Sequence, residues 1–325
     1  MFDFDELDEA EDEPPSEAPA QSTDDAEAEA LGKEIAAEAM VADDQGDLLA
    51  WCMKYKVIGF PLPAGQCRFR VFCFHNAGSA ESVWTTGSRN PLLAWVKETK
   101  AVELVAVSYP GRDKLRGSKP IESAALLART MLPVVHSKLT DGVPFVLWGH
   151  SVGTWVAYEL LLLLRRLRLP LPRAAFLNGF AGPQLPQEQR PWRRSSTLDT
   201  AALGEEIKAW DRGHFEGAAK MIFQEPDWSK TWLPLMRADF KLFDEYPPRP
   251  AETLARFSFP IHSYHFAGEH FITPDMVQLW SAWTSNEFDF EIFPGMGHLT
   301  SLYIPEHREV YFGKVVALLK KYAAL

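Results

Sequence analysis

Cysteine is scarce in this chain: Cys52, Cys67 and Cys73 are the three among 325 residues. An odd, small number excludes a disulfide framework and fits a reducing compartment. No two of them have C-x-x-C spacing, so zinc has no support, and no glycine-rich phosphate loop is present. Long apolar runs are missing too. The most apolar stretch, Trp155 to Leu164, is interrupted by Glu159 and stops at Arg165-Arg166, too short to cross a bilayer. Base is almost absent from the start of the chain: residues 1–48 hold 18 acids and the single base Lys33. That segment carries −17 of a chain total of −11, leaving +6 for the rest. Its opening, MFDFDELDEAEDEPP, is acidic where a signal peptide is basic and then apolar. A cytoplasmic protein is expected, without metal, cofactor, membrane span or nucleic-acid partner.

Residues 1–48 are rich in Asp, Glu, Ala and Pro and poor in large apolar side chains. Such a segment buries too little surface to offset its ordering entropy, and disorder is expected. Within it, residues 26–41 have a weak helical pattern with Leu31, Ile35 and Met40 near one face. Trp51, Tyr55, Val57, Ile58 and Phe60 then tether the chain to a body spanning residues 49–325.

In that body, strand patterns alternate with helical ones. Arg68 to Phe74, Val102 to Tyr109, Phe145 to Trp148, Arg173 to Asn178, Ile261 to Ala267 and Phe288 to Phe293 read as strands. Ile121 to Leu139, the run after Ser151, Pro274 to Thr284 and Pro305 to Tyr322 read as helices. This alternation predicts an α/β protein with a mainly parallel, doubly wound sheet, whose ligands sit at the carboxyl ends of the strands. Residues 184–256 break it with helical segments (Leu198 to Trp210, Phe215 to Phe223, Trp232 to Phe243) and two proline-rich joints. Placed after the central strand, this aromatic insertion is expected to form a lid.

The centre of the pattern is FVLWGHSVGTWVAYEL, Phe145 to Leu160. A strand meets Gly149-His150-Ser151-Val152-Gly153 and a helix follows at once, the context that gives a G-x-S-x-G spacing its meaning. Such a turn lifts the serine hydroxyl out of the sheet, with glycines two residues to either side relieving the crowding. Ser151 is therefore the candidate nucleophile. A serine needs a base, and His298 in Gly295-Met296-Gly297-His298 arrives after the last strand, where this fold delivers it. His150 is expected to shape the turn with its ring directed away from the Ser151 face.

These segments resemble the stand-alone type II thioesterases of the α/β-hydrolase superfamily. The resemblance rests on FCFHNAGSAESVW (72–84), VSYPGRDKLR (107–116), the serine turn, FLNGFAGPQLP (176–186), LPLMRADFKLFDEY (233–246) and FPGMGHL (293–299), and covers roughly residues 66–322. It implies the α/β-hydrolase fold and hydrolysis of acyl groups from acyl or peptidyl carrier proteins, where they hang on phosphopantetheine. It also implies Ser151 as nucleophile, His298 as base, and the backbone amides of Ala77 and Val152 as the oxyanion hole. The chain departs from the family at His75 and Ser79, where a proline and a second glycine are usual. At the family's acid position stands Phe271, which cannot orient an imidazole. Glu269 is taken as the acid, with Asp275 and Asn178 as alternatives. A monomer is expected. An esterase or lipase shares the same turn, and Phe271 leaves room for a carrier-binding module whose catalysis has weakened. The acidic segment is expected to compete with an acidic carrier for the basic body, with Arg190, Arg193 and Arg194 as contacts.

Overall fold

The computed structural model describes residues 23–44, 54–59, 62 and 65–324. In chain order the principal elements are helix α1 (Thr23–Asp44), strands β1 (Lys54–Ile58) and β2 (Phe69–Phe74), α2 (Pro91–Thr99), β3 (Val102–Ser108), α3 (Ala124–Thr140) and β4 (Phe145–His150). There follow α4 (Gly153–Arg166), β5 (Ala175–Asn178), α5 (Thr200–Trp210), α6 (Leu233–Asp244), β6 (Ile261–Phe266), β7 (Phe288–Phe293) and α7 (Pro305–Ala323).

The seven strands form one sheet in the order β1-β3-β2-β4-β5-β6-β7. All neighbours are parallel except β1, which runs antiparallel on β3 with Lys54 opposite Ser108 and Ile58 opposite Leu104. Because side chains alternate across a strand, Phe72, Phe74 and Leu147 face one layer while Val71, Cys73 and Trp148 face the other. The first layer is α1, α3, α4 and the helices inserted between β5 and β6; the second is α2 and α7. This is the doubly wound sheet expected from the alternation. The alternating pattern located β2 to β7 but not β1, whose five residues run into segments outside the described residues.

Helix boundaries follow local chemistry. α3 begins after Ser123, whose side chain accepts the Leu126 N–H, and α5 begins after Asp199, which accepts the Ala202 N–H at 2.8 Å. The helix expected over 215–223 is instead a short helix Arg212–Phe215 and a 3₁₀ turn Lys220–Phe223. Gly213 and Gly217 lower helix propensity across that stretch.

Disorder across residues 1–48 is corrected for part of the segment. Residues 23–44 form a 22-residue helix on α3, with Ile35 and Ala39 buried. Arg129 pairs with Glu34 at 2.9 Å and Glu38 at 3.0 Å, Arg166 with Glu27 at 3.2 Å, and Arg168 with Asp25 at 2.8 Å. The stretch is rich in alanine, the best helix former, and one narrow apolar stripe plus basic partners on the body replaces the large core residues it lacks. Met40, expected on the same face, is exposed. Residues 1–22 and 45–48, together with Trp51, Cys52 and Phe60, lie outside the described residues. Among the described residues no helix is long and apolar enough to cross a membrane.

Candidate active site

Ser151 follows β4 in the middle of the sheet and has φ of +57°, a conformation that non-glycine residues adopt at a cost. The turn is held from below, where the Ser151 N–H donates to the Asn178 carbonyl at 3.0 Å. Its two glycines are required by space. A Cβ on Gly149 would lie 2.6 Å from the Gly153 carbonyl oxygen, and one on Gly153 would lie 2.2 Å from the carbonyl oxygen of Phe74. Strand β2 and helix α4 therefore touch backbone to backbone directly beneath the serine.

His298 follows β7, and Glu269 follows β6. The two loops are clasped by the Gly268 N–H donating to the Met296 carbonyl at 2.7 Å. His298 Nε2 lies 2.7 Å from Ser151 Oγ, and His298 Nδ1 lies 2.8 Å from Glu269 Oε2. A carboxylate accepts only, so Nδ1 carries the proton, and Nε2 is left as the acceptor for the serine hydroxyl. The ring is buried, as is the whole Glu269 side chain. Burial pushes the Glu269 carboxyl above its ordinary pKa; the imidazole opposes that shift, and the charge of Asp211 adds to it. The second oxygen, Oε1, has no partner among the described residues.

Of the alternatives for the acid, Asp275 is exposed. Asn178 is occupied elsewhere: its Oδ1 accepts the Tyr264 N–H and its Nδ2 donates to the Tyr311 hydroxyl. Phe271 packs its ring 5.0 Å from that of Trp210, which itself lies 5.0 Å from the His298 ring. The three side chains Ser151, His298 and Glu269 are thus brought together, and Asp275 and Asn178 are not.

Ala77 lies in the turn after β2 and Val152 directly after the serine. No acceptor among the described residues takes the N–H of either. A narrow apolar slot opens beside Ser151 and His298, walled by Trp210, Phe215, Met236, Phe240 and Phe243 from the helical insertion.

Sequence reasoning missed three supports of this arrangement. His150, 0% exposed, donates from Nε2 to the backbone oxygen of His298 at 2.8 Å. Asp239 of α6 accepts the Gly78 N–H at 2.7 Å and a bidentate pair of bonds from Arg112 at 2.8 and 2.6 Å, and Arg112 also holds the Ser79 carbonyl. Asp211 accepts the N–H groups of Leu299 and Thr300. The stretches that hold Arg112 and Asp239, 107–116 and 233–246, did carry the family resemblance, though not as partners of each other. Of the arginines named as carrier contacts, Arg190 is buried, bonded to the carbonyls of Phe243 and Tyr246, and Arg193 is paired with Glu206 at 2.6 Å.

A serine raised on a tight turn after a central parallel strand, with histidine and carboxylate delivered by later strand ends, is the plan of the α/β-hydrolase fold. Within that class the chain belongs to the thioesterase domain family, whose model matches residues 69–311. The gramicidin S biosynthesis protein GrsT of Aneurinibacillus migulanus is 23% identical over 232 residues, 70% of this chain and 81% of that protein. Among solved structures, the RedJ thioesterase from the prodiginine biosynthetic pathway of Streptomyces coelicolor is 26% identical with a TM-score of 0.64, covering 77% of this chain and 89% of its own. The type II thioesterase BorB from the borrelidin biosynthetic cluster has a TM-score of 0.65 at 23% identity, covering 84% and 98%.

Proposed function

We propose that this protein hydrolyses acyl thioesters carried on the phosphopantetheine arm of an acyl or peptidyl carrier protein, as a stand-alone type II thioesterase of polyketide, nonribosomal peptide or fatty acid synthesis. The observation that carries the reading is the unbroken chain Ser151 Oγ, His298 Nε2, His298 Nδ1, Glu269 Oε2, with links of 2.7 and 2.8 Å, in a member of the thioesterase family.

In this reading Ser151 attacks the thioester carbonyl while His298 Nε2 takes its proton, and Glu269 holds the imidazole in the needed tautomer and stabilises the imidazolium. The oxyanion of the tetrahedral intermediate is received by the amides of Ala77 and Val152. Collapse breaks the C–S bond, and the imidazolium protonates the departing thiolate. A water, deprotonated by His298, then attacks the acyl-serine ester and releases the carboxylic acid, returning the proton to Ser151. The insertion acts as the lid over this chemistry, and its aromatic slot takes the acyl chain. In this reading the protein works as a monomer in the cytoplasm, and light scattering checks the monomeric mass.

The test compares steady-state hydrolysis of an acyl-carrier thioester with that of a simple ester of the same acid. A clear preference for the thioester, lost in Ser151→Ala, supports the reading. A preference for the simple ester moves the protein to the esterases. A chain that binds carrier without turnover, and is not labelled at Ser151 by a fluorophosphonate, is a binding module.

A further inference from the structure

The helical insertion reaches into the catalytic loops through one short segment, Trp210-Asp211. Trp210 ends α5 and packs its ring against the His298 imidazole. Asp211 then breaks the helix with φ of −158° and ψ of 91° and turns its buried carboxylate the other way. Oδ2 accepts the N–H groups of Leu299 and Thr300, each at 2.8 Å, and Oδ1 accepts the N–H of His214 at 3.0 Å. Both oxygens are therefore used, and two of the three donors are the residues immediately after His298. The approach needs Gly297, where a Cβ would sit 2.7 Å from Asp211 Oδ2. The same loop is closed on itself by the Gly297 N–H donating to Thr300 Oγ1 at 2.8 Å.

We propose that Asp211 is a positioning residue for His298: the insertion holds the imidazole at bonding distance from Ser151 by fixing the backbone of the loop that carries it. This rests on the reading of Ser151 and His298 as nucleophile and base. Hydrogen bonds to a carboxylate are about twice as strong as neutral ones, and here they restrain the peptide units next to the histidine. Without them, the buried N–H of Leu299 and the part-buried N–H of Thr300 lose their acceptor and the loop is free to shift. A displacement of about 1 Å in a reacting group costs on the order of 10²-fold in rate. It follows that the insertion cannot rise at this point without releasing the base, so an open insertion is also an inactive site.

The experiment uses the full chain and reads two quantities. The first is the rate of fluorophosphonate labelling of Ser151, which reports nucleophile competence independently of any thioester. The second is kcat and KM on a small acyl thioester. Asp211→Ala is expected to lower labelling and kcat together by on the order of 10²-fold, with KM within about threefold. Asp211→Asn keeps an oxygen for both loop amides and is expected to retain activity within about fivefold. Asp244→Ala is the control: this buried carboxylate of the same insertion accepts the Ser195 N–H and touches neither catalytic loop, so labelling should stay within about threefold. Should Asp211→Ala not fold, Asp211→Glu, which keeps the charge but moves the carboxylate by a methylene, decides by the same labelling assay. Labelling within threefold of the parent in Asp211→Ala or Asp211→Glu, a loss confined to KM, or an equal loss in Asp244→Ala overturns the proposal. Labelling that depends on Ser151 and Asp211 without any thioester turnover leaves the positioning role standing and removes the thioesterase reading.

Discussion

His150 Nε2 sits 2.8 Å from the backbone oxygen of His298, so the residue before the serine grips the loop that brings the histidine. The tautomer follows from one hydroxyl. Tyr311 OH accepts from Trp148 Nε1 at 3.1 Å and from Asn178 Nδ2 at 3.0 Å, so its own proton goes to His150 Nδ1 at 3.4 Å. That leaves the proton of the neutral ring on Nε2, facing the His298 carbonyl.

Burial, with a smaller push from the neighbouring His298, holds the His150 pKa down at about 3, only partly offset by its bond to the His298 carbonyl. Its unfolded value is about 6.5. A base with a depressed folded pKa contributes stability that is complete above about pH 6.5 and is lost as pH falls toward 3, at about 1.4 kcal/mol per unit. His150→Gln removes this titration while keeping a donor for the carbonyl. Urea unfolding between pH 6.5 and 4 should show a flatter profile for the variant than for the parent; equal slopes would remove His150 from the acid sensitivity.

Glu269→Gln should lower kcat by roughly 10³ to 10⁴, the scale on which a histidine with a misassigned tautomer fails. Asp275→Asn should stay within about twofold. Steady-state turnover on one thioester compares them, and the reverse ranking would mean that the buried contact between Glu269 and His298 does not orient the base.

Helix α1 should matter for stability and not for catalysis. Ile35 is 1% exposed in an otherwise acidic helix, and Ile35→Ala should cost about 2 kcal/mol or more. The surface ion pairs beside it contribute little each. The helix meets Arg166 and Arg168 at the far end of α4 from Ser151, about 21 Å along its 14 residues. Substitutions in the helix should therefore leave kcat on a small thioester unchanged, whereas deleting the whole of residues 1–48 should lower KM for a carrier substrate at low salt and change it little at high salt. An identical carrier KM with and without residues 1–48 across a salt series would end the idea that the acidic segment competes with the carrier.

The serine turn and its histidine were legible because their meaning is local: a strand, five residues and a helix, or a glycine-flanked histidine after the last strand. Glu269 was reachable by position once Phe271 was excluded by its chemistry. The supports were not legible, because each joins residues far apart: Asp211 and Leu299 are 88 positions apart, His150 and His298 148, Gly78 and Asp239 161. No periodicity encodes such pairs. Helix α1 was legible as a weak pattern over residues 26–41, but its docking on the body escaped for a different reason. Average composition describes a segment alone, whereas this one folds against arginines and an apolar seam supplied by the body.

The pair Arg112 and Asp239 joins the loop after β3 to helix α6, each partner also bonds the loop after β2, and these two functions can be separated. Both side chains are buried, and removing one partner of such a pair leaves an uncompensated charge at about 3–5 kcal/mol. Arg112→Met should therefore destabilise strongly. Adding Asp239→Leu removes the stranded charge, and buried pairs replaced by apolar groups of similar volume often recover stability. Turnover should not recover with it. Asp239 also accepts the Gly78 N–H, and Arg112 holds the Ser79 carbonyl; both bonds fix the peptide units that follow Ala77. The double variant is expected to unfold at a urea midpoint near the parent's while kcat stays at least about tenfold down, the loss of an oxyanion donor costing on the order of 10²-fold or more. Full recovery of kcat alongside stability would show that the pair only holds the insertion in place and has no part in aligning the Ala77 amide.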